Sequence, residues 1–211
     1  MSRKYADYKR GEREARWIAT VQFVILLAAI LVLLGVIRSA FFFQVVVAGP
    51  SMEPTLHDRY IIFLDRQRSP QRQDVVVVRD PQRSHVFWVK RLIAFEGETV
   101  VFVRDQDESG WFYHIYIYRG DTRILLLHEP YLDEPTRHVR HHGHQPERYY
   151  FLIGSGEIFV LGDHRDISYD SRASLPIVKN RDFFGRVWIV AEKNSFFWRL
   201  LSGFGGQEAG T

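Results

Sequence analysis

Cysteine is absent from these 211 residues. That excludes disulfides, thiol nucleophiles and cysteine-ligated zinc. A concentrated basic stripe is also missing. The 28 Lys and Arg residues are scattered among 25 Asp and Glu, for a net charge of +3 and a pI of about 9.2. Nucleic acid is therefore not expected as a partner, because counterion-release binding needs clustered positive charge. Helical periodicity is weak outside one N-terminal stretch. No second long apolar run occurs, since Val187 to Leu201 is broken by Glu192, Lys193 and Arg199. What remains is 46% apolar and 15% aromatic, enough to build a core.

The one long apolar run extends from Trp17 to Ile37, with no charge and a single amide, Gln22. Crossing a bilayer takes ~20 such residues. A cleavable signal peptide has an apolar region of only ~7–15 residues, so the run reads as a retained anchor. Arg3, Lys4, Lys9, Arg10, Arg13 and Arg16 precede it. After Arg38 no base follows until Arg59. Positive residues stay on the cytoplasmic side. The expected order is a basic cytoplasmic N-terminus over 1–16, a span over 17–37, an outer domain over 38–202 and a flexible tail over 203–211.

The outer part reads as mainly β. Runs rich in Val, Ile, Phe and Tyr alternate with turn residues, as in antiparallel sheets. The expected strands are Phe41–Val47, Tyr60–Leu64, Asp74–Arg79, Val86–Phe95, Thr99–Arg104, Trp111–Tyr118, Arg123–Leu127, Ile158–Leu161 and Gly185–Val190. Arg119-Gly120-Asp121 suits a hairpin turn. Residues 105–157 stand apart as an insertion or subdomain. Their 128–157 part, rich in Pro, Gly and His, reads as a surface excursion.

Three segments carry candidate chemistry. In Gly49-Pro50-Ser51-Met52-Glu53-Pro54-Thr55-Leu56, glycine and two prolines fix the backbone around a serine. Such a bend can expose a hydroxyl and leave a backbone N–H free for an oxyanion. Alone it also reads as an ordinary turn. In Phe87-Trp88-Val89-Lys90-Arg91-Leu92-Ile93 a lysine lies inside an apolar β run. Burial would lower its pKa and let it accept a proton from a serine. Alone it also reads as a lysine on an exposed strand face. In Gly162 to Arg172, alternation puts Ser168, Asp170 and Arg172 on one side, with Asp170 and Arg172 able to pair. Asp163 is free to meet another base, with Arg91 a candidate.

Together these segments resemble the type I signal peptidases, membrane serine proteases with a Ser–Lys dyad. Ser51-Met52-Glu53-Pro54-Thr55-Leu56 is similar to the family's S-M-x-P-T-L box. Val89-Lys90-Arg91-Leu92-Ile93-Ala94 with Gly97-Glu98 resembles its lysine box, and Asp74-Val75-Val76-Val77 the strand before it. Glu129-Pro130-Tyr131-Leu132 echoes an E-P-Y-L turn, and Gly162-Asp163-His164-Arg165-Asp166 through Arg172 its G-D-N-R-D-x-S-x-D-S-R box. The boxes occur in the family's order behind an N-terminal anchor. The resemblance implies a signal-peptidase-type antiparallel β-sheet catalytic domain on the outer side of the bacterial cytoplasmic membrane. It implies Ser51 as nucleophile, Lys90 as general base and the Ser51 backbone N–H in the oxyanion hole. Ser168 would orient the Lys90 ammonium, with Asp170 and Arg172 in support and Asp163 near Arg91. Substrates would be exported preproteins with small residues at −3 and −1. Neither metal nor cofactor is implied.

Three positions depart from the pattern. Gly49 stands where some members have a serine that helps the oxyanion, Phe95-Glu96 replaces a proline-containing turn, and His164 replaces an asparagine. His138, His141, His142 and His144 are spaced as helical metal ligands would be, but Gly143 and Pro146 oppose a helix, so a solvated loop is expected. Phe41-Phe42-Phe43 and Phe196-Phe197-Trp198 suit either core packing or a membrane interface.

Overall fold

The computed structural model describes residues 3–41, 43–80, 83, 85–108, 110–139, 145–173, 178–193, 195 and 207–210. The chain forms two compact units, residues 1–42 and 43–211. The first is a single helix, α1 (Arg3–Phe41). Its stretch Arg16–Val36 has a mean hydropathy of 2.7 and buries no side chains. Those 21 residues rise ~30 Å, the thickness of a bilayer's hydrocarbon core. Leu26, Leu31, Val32 and Leu33 are each more than half exposed, as the apolar face of a membrane-spanning helix would be.

The second unit is mainly β. Its strands are β1 (Phe43–Val47), β2 (Ile61–Asp65), β3 (Val75–Arg79), β4 (Phe87–Ala94), β5 (Glu98–Asp107), β6 (Gly110–Arg119), β7 (Thr122–Leu126), β8 (Arg148–Leu152), β9 (Glu157–Leu161), β10 (Val178–Lys179), β11 (Phe183–Ala191) and β12 (Gln207–Gly210). One sheet runs β10-β9-β4-β12-β1-β2-β11-β3, and a further β3–β4 pairing closes six of these strands into a ring. The other sheet runs β7-β6-β5-β8.

Alternation along the strands divides the side chains between separate cores. Val45, Val47, Ile62, Leu64, Val77, Phe87 and Val89 pack together with Met52 and Leu56 from the loop after β1. On the other face of β3 and β4, Val76, Val78, Trp88 and Leu92 meet Ile158 and Val160 of β9. The second sheet packs Val100, Phe102, Ile115 and Ile117 against Phe159 and Leu161. Strand β4 is shared between these cores and is buried along its whole length. That is why a lysine and an arginine within it lose contact with water.

All nine expected strands are present, and the Gly120-Asp121 turn joins β6 to β7, with Arg119 paired to Thr122. Three strands were not anticipated. Strand β8 lies inside the segment read as a surface excursion and pairs with β5. Strand β10 has two residues. Strand β12 falls in the tail expected to fray, and fills the gap between β1 and β4. At the β4–β5 turn, where proline is missing, Gly97 takes φ 74°. The buried Glu98 carboxylate accepts the Phe95 N–H at 2.9 Å and pairs with Arg72 at 2.8 Å, which fixes the turn instead. Phe43 is half-buried, its ring 4.6 Å from that of Phe184. Phe42 and residues 196–198 lie outside the described residues, as do His141, His142 and His144.

Candidate active site

The loop after β1 and the middle of β4 bring Ser51 and Lys90 together. Lys90 Nζ donates to Ser51 Oγ at 2.8 Å, across 39 positions of sequence. Lys90 is fully buried, and Ser51 is 6% exposed. Burial lowers the Lys90 pKa to about 8, although Asp170 and Asp163 partly offset it by favouring the charge; Arg172 lowers it further. A neutral amine at this distance can take the proton of the hydroxyl. Gly49 sits at φ 84°, in the left-handed region open to glycine, and its N–H is tied to Asp58 Oδ1 at 3.0 Å. The Ser51 N–H donates no hydrogen bond among the described residues, so it is free to meet an oxyanion.

The segment from Gly162 to Arg172 forms the floor of the site. The His164 N–H donates to the Ser51 carbonyl at 3.1 Å, which fixes the serine's backbone. Gly162 lies so close that a Cβ there would meet Ser168 Oγ and would come 2.5 Å from the Ser51 carbonyl oxygen. Its N–H donates to Asp170 Oδ2 at 3.0 Å. Arg172 grips both oxygens of Asp170, each at 2.9 Å. Burial alone would raise the Asp170 pKa. The charge and hydrogen bonds of Arg172, with the Gly162 N–H, hold it below the usual carboxylate range.

Arg91 forms the second buried pair. Its Nε donates to Asp163 Oδ1 at 2.8 Å, and its Nη2 donates to Asp163 Oδ2. Thr55 donates to the same carboxylate at 2.5 Å, and the Arg91 guanidinium stacks 3.7 Å from the Tyr131 ring centroid. A third pair pins the loop after β7. Arg165 donates to Glu129 Oε1 at 2.5 Å, to Thr136 Oγ1 at 2.7 Å and to the Gly162 carbonyl at 2.9 Å. A cleft of about 260 Å³ opens beside this corner, with Glu53, His57, Asp133, Glu134 and Asp166 in its walls.

The expected site residues Ser51, Lys90, Arg91, Asp163, Asp170 and Arg172 therefore converge. Ser168 is brought to the same place and is fully buried, but its hydroxyl has no hydrogen-bond partner among the described residues. Among the described residues Lys90 Nζ bonds Ser51, and no hydrogen bond joins it to Ser168. Sequence reasoning missed the close approach of Gly162, the bridging hydroxyl of Thr55, and the Glu129–Arg165 pair. Gly162 and Thr55 stand inside the quoted boxes, so their positions were visible although their contacts were not. His138 Nδ1 lies 3.0 Å from Asp166 Oδ1. Among the described residues no group of three or more His, Asp or Glu is arranged to hold a metal.

A family model described as signal peptidase, peptidase S26, matches residues 16–191. The chain belongs to the signal peptidase S26 family. Signal peptidase I U of Bacillus subtilis (strain 168) is 30% identical over 172 residues, covering 79% of this chain and 83% of the relative. Signal peptidase I of Rickettsia typhi is 27% identical over 146 residues, covering 62% of this chain and 55% of the relative. A crystal structure of a signal peptidase I from Enterococcus faecalis is 26% identical, with a TM-score of 0.40 over 57% of this chain and 98% of that one. The matched span of the S26 family model contains every site residue named above.

Proposed function

We propose that this chain is a membrane-anchored signal peptidase that cleaves signal peptides from exported preproteins, with Ser51 as nucleophile and Lys90 as its general base. Membership of the signal peptidase family and its signal peptidase I relatives support the reaction class. The residue assignment is carried by one observation: a fully buried lysine, its pKa brought down to about 8, 2.8 Å from a serine hydroxyl.

Neutral Lys90 takes the Ser51 proton as Oγ attacks the scissile carbonyl. The oxyanion forms against the Ser51 N–H, with no side-chain donor at Gly49. The Lys90 ammonium then gives its proton to the leaving amine, and an acyl-enzyme remains on Ser51. Lys90, neutral again, activates the water that releases the signal peptide. Ser168, beside Gly162 with an unused hydroxyl, is the second partner for the ammonium that forms during the reaction. Asp170 and Arg172 hold the Gly162 backbone in place, and the Asp163–Arg91 pair holds Thr55.

The basic residues ahead of the span support residues 1–16 in the cytoplasm of a bacterial cell and residues 38–202 beyond its cytoplasmic membrane, facing emerging preproteins. Cleavage of a model preprotein tests the reading. Ser51→Ala and Lys90→Ala each lower kcat by ~10⁴-fold or more. Lys90→Arg is equally inactive, because arginine keeps its proton. Activity within tenfold of the wild type in Ser51→Ala would remove the serine from the mechanism.

A further inference from the structure

Strand β4 is paired along one edge by β3, from Phe87 to Arg91. On its other edge, β9 pairs only from Arg91 onward. The half before Lys90, Phe87 and Trp88, is paired instead by Ala209 and Gly210 of β12. Strand β1 has β2 on one edge and, on the other, Val45–Val47 against Gln207–Ala209. Without β12, β1 and β4 would each present an unpaired edge to the same gap. Such a gap is a slot for one extended strand, held by backbone hydrogen bonds that do not depend on the strand's side chains.

The direction of the slot links it to the chemistry. Strand β12 runs parallel to both walls. Both walls lead to the candidate site: β1 ends at Val47, just before Gly49-Pro50-Ser51, and β4 reaches Lys90 two residues beyond Trp88. A strand in the slot therefore points its C-terminal end towards Ser51 and Lys90. A polypeptide whose scissile bond is to reach that pair needs the same track in the same direction. Strand β12 belongs to the same chain as its slot, which gives the segment a high effective concentration, on the order of millimolar. Its ladder is four residues long, short enough to be replaced.

We infer that Gln207–Gly210 is an intramolecular pseudosubstrate that fills the strand slot at rest, and that an extended polypeptide substrate docks only by displacing it. The tail thus acts as a competitive inhibitor in cis. Its consequence for catalysis rests on the Ser51–Lys90 reading; its occupancy of the slot does not.

The test uses the full-length protein in detergent micelles, compared with a chain ended after Gly206 and with Glu208→Pro, which removes a backbone donor and disfavours the strand. On a model preprotein, both variants show a KM lower by about threefold or more at unchanged kcat, since the tail must be docked in most molecules to be the resident strand. Excess synthetic Gly-Gln-Glu-Ala-Gly raises the KM of the truncated chain again. An unchanged KM overturns the inference. Loss of activity on truncation also overturns it, because β12 would then be part of the scaffold. Amide exchange on a Ser51→Ala background reads occupancy without turnover: truncation is expected to speed exchange at Val45–Val47 and Phe87–Trp88. Unchanged exchange there overturns the inference even if the dyad assignment stands. Residual activity of Ser51→Ala would sink the dyad while leaving the exchange result decisive for the tail.

Discussion

Among the described residues Lys90 has no carboxylate as a hydrogen-bond partner; its Nζ donates to the neutral hydroxyl of Ser51. Asp163 is committed to Arg91, and Asp170 to Arg172. Their charges still raise the Lys90 pKa, but less than burial lowers it. Had either carboxylate been free to bind Nζ directly, the ammonium form would be favoured and the base lost. The two arginines thus occupy the two carboxylates whose charges act on the lysine. Gly162 has a comparable role in the backbone. An added Cβ would strike the Ser51 carbonyl and the Ser168 side chain, and the strand–turn that carries it has little freedom to retreat. Gly162→Ala is expected to lower kcat/KM by ~10²-fold through displacement of the serine, with the far-UV circular dichroism of the wild type. Wild-type kinetics in this variant would show that Ser51 does not depend on that approach.

Strand β4 is the element that joins the chemistry. It supplies Lys90 and Arg91, pairs with β3 and β9, and is buried throughout. Its apolar run made it visible in the sequence, as alternation and turn residues did for β1 to β7, β9 and β11. Strand β8 was hidden because Arg148-Tyr149-Tyr150-Phe151-Leu152 follows a Pro-, Gly- and His-rich stretch that reads as loop, and because among the described residues only β5 pairs with it. Strand β12 was hidden for a stronger reason. Gln207-Glu208-Ala209-Gly210 has no β propensity of its own, and two waiting edges impose its conformation. The ion pairs divide in the same way. Asp170–Arg172 is local, and its spacing was legible. Arg165–Glu129 spans 36 positions and depends on the return of the loop after β7. The Ser168 contact expected from family resemblance concerns a side-chain orientation, which spacing does not determine.

On the scale of the whole molecule, the two units answer to different solvents. Helix α1 exposes apolar side chains on every side along Arg16–Val36, whereas residues 43–211 enclose their own cores. A tether of this kind confines a protease to a bilayer surface and raises its encounters with substrates held by the same membrane. The absence of cysteine makes the orientation easy to test. Asp7→Cys and Tyr150→Cys each introduce a single thiol, the second at a side chain 58% exposed. In intact spheroplasts a membrane-impermeant maleimide is expected to label Tyr150→Cys and to leave Asp7→Cys unlabelled until lysis. The reverse pattern would place the catalytic unit in the cytoplasm.

On the proposed mechanism, Lys90 is neutral when Ser51 needs a base. A base works only when deprotonated, and the neutral fraction grows as pH climbs through the pKa. Activity limited by this group therefore rises with pH and is half-maximal near 8. The most direct measurement is titration of Lys90 Nζ by ¹⁵N NMR in lysine-labelled protein, with the resonance assigned by its absence in Lys90→Arg. A pKa of about 8, matched by the rise in kcat/KM, is the expected result. A Lys90 that stays charged up to ~10, the value of a solvated lysine, would contradict the account.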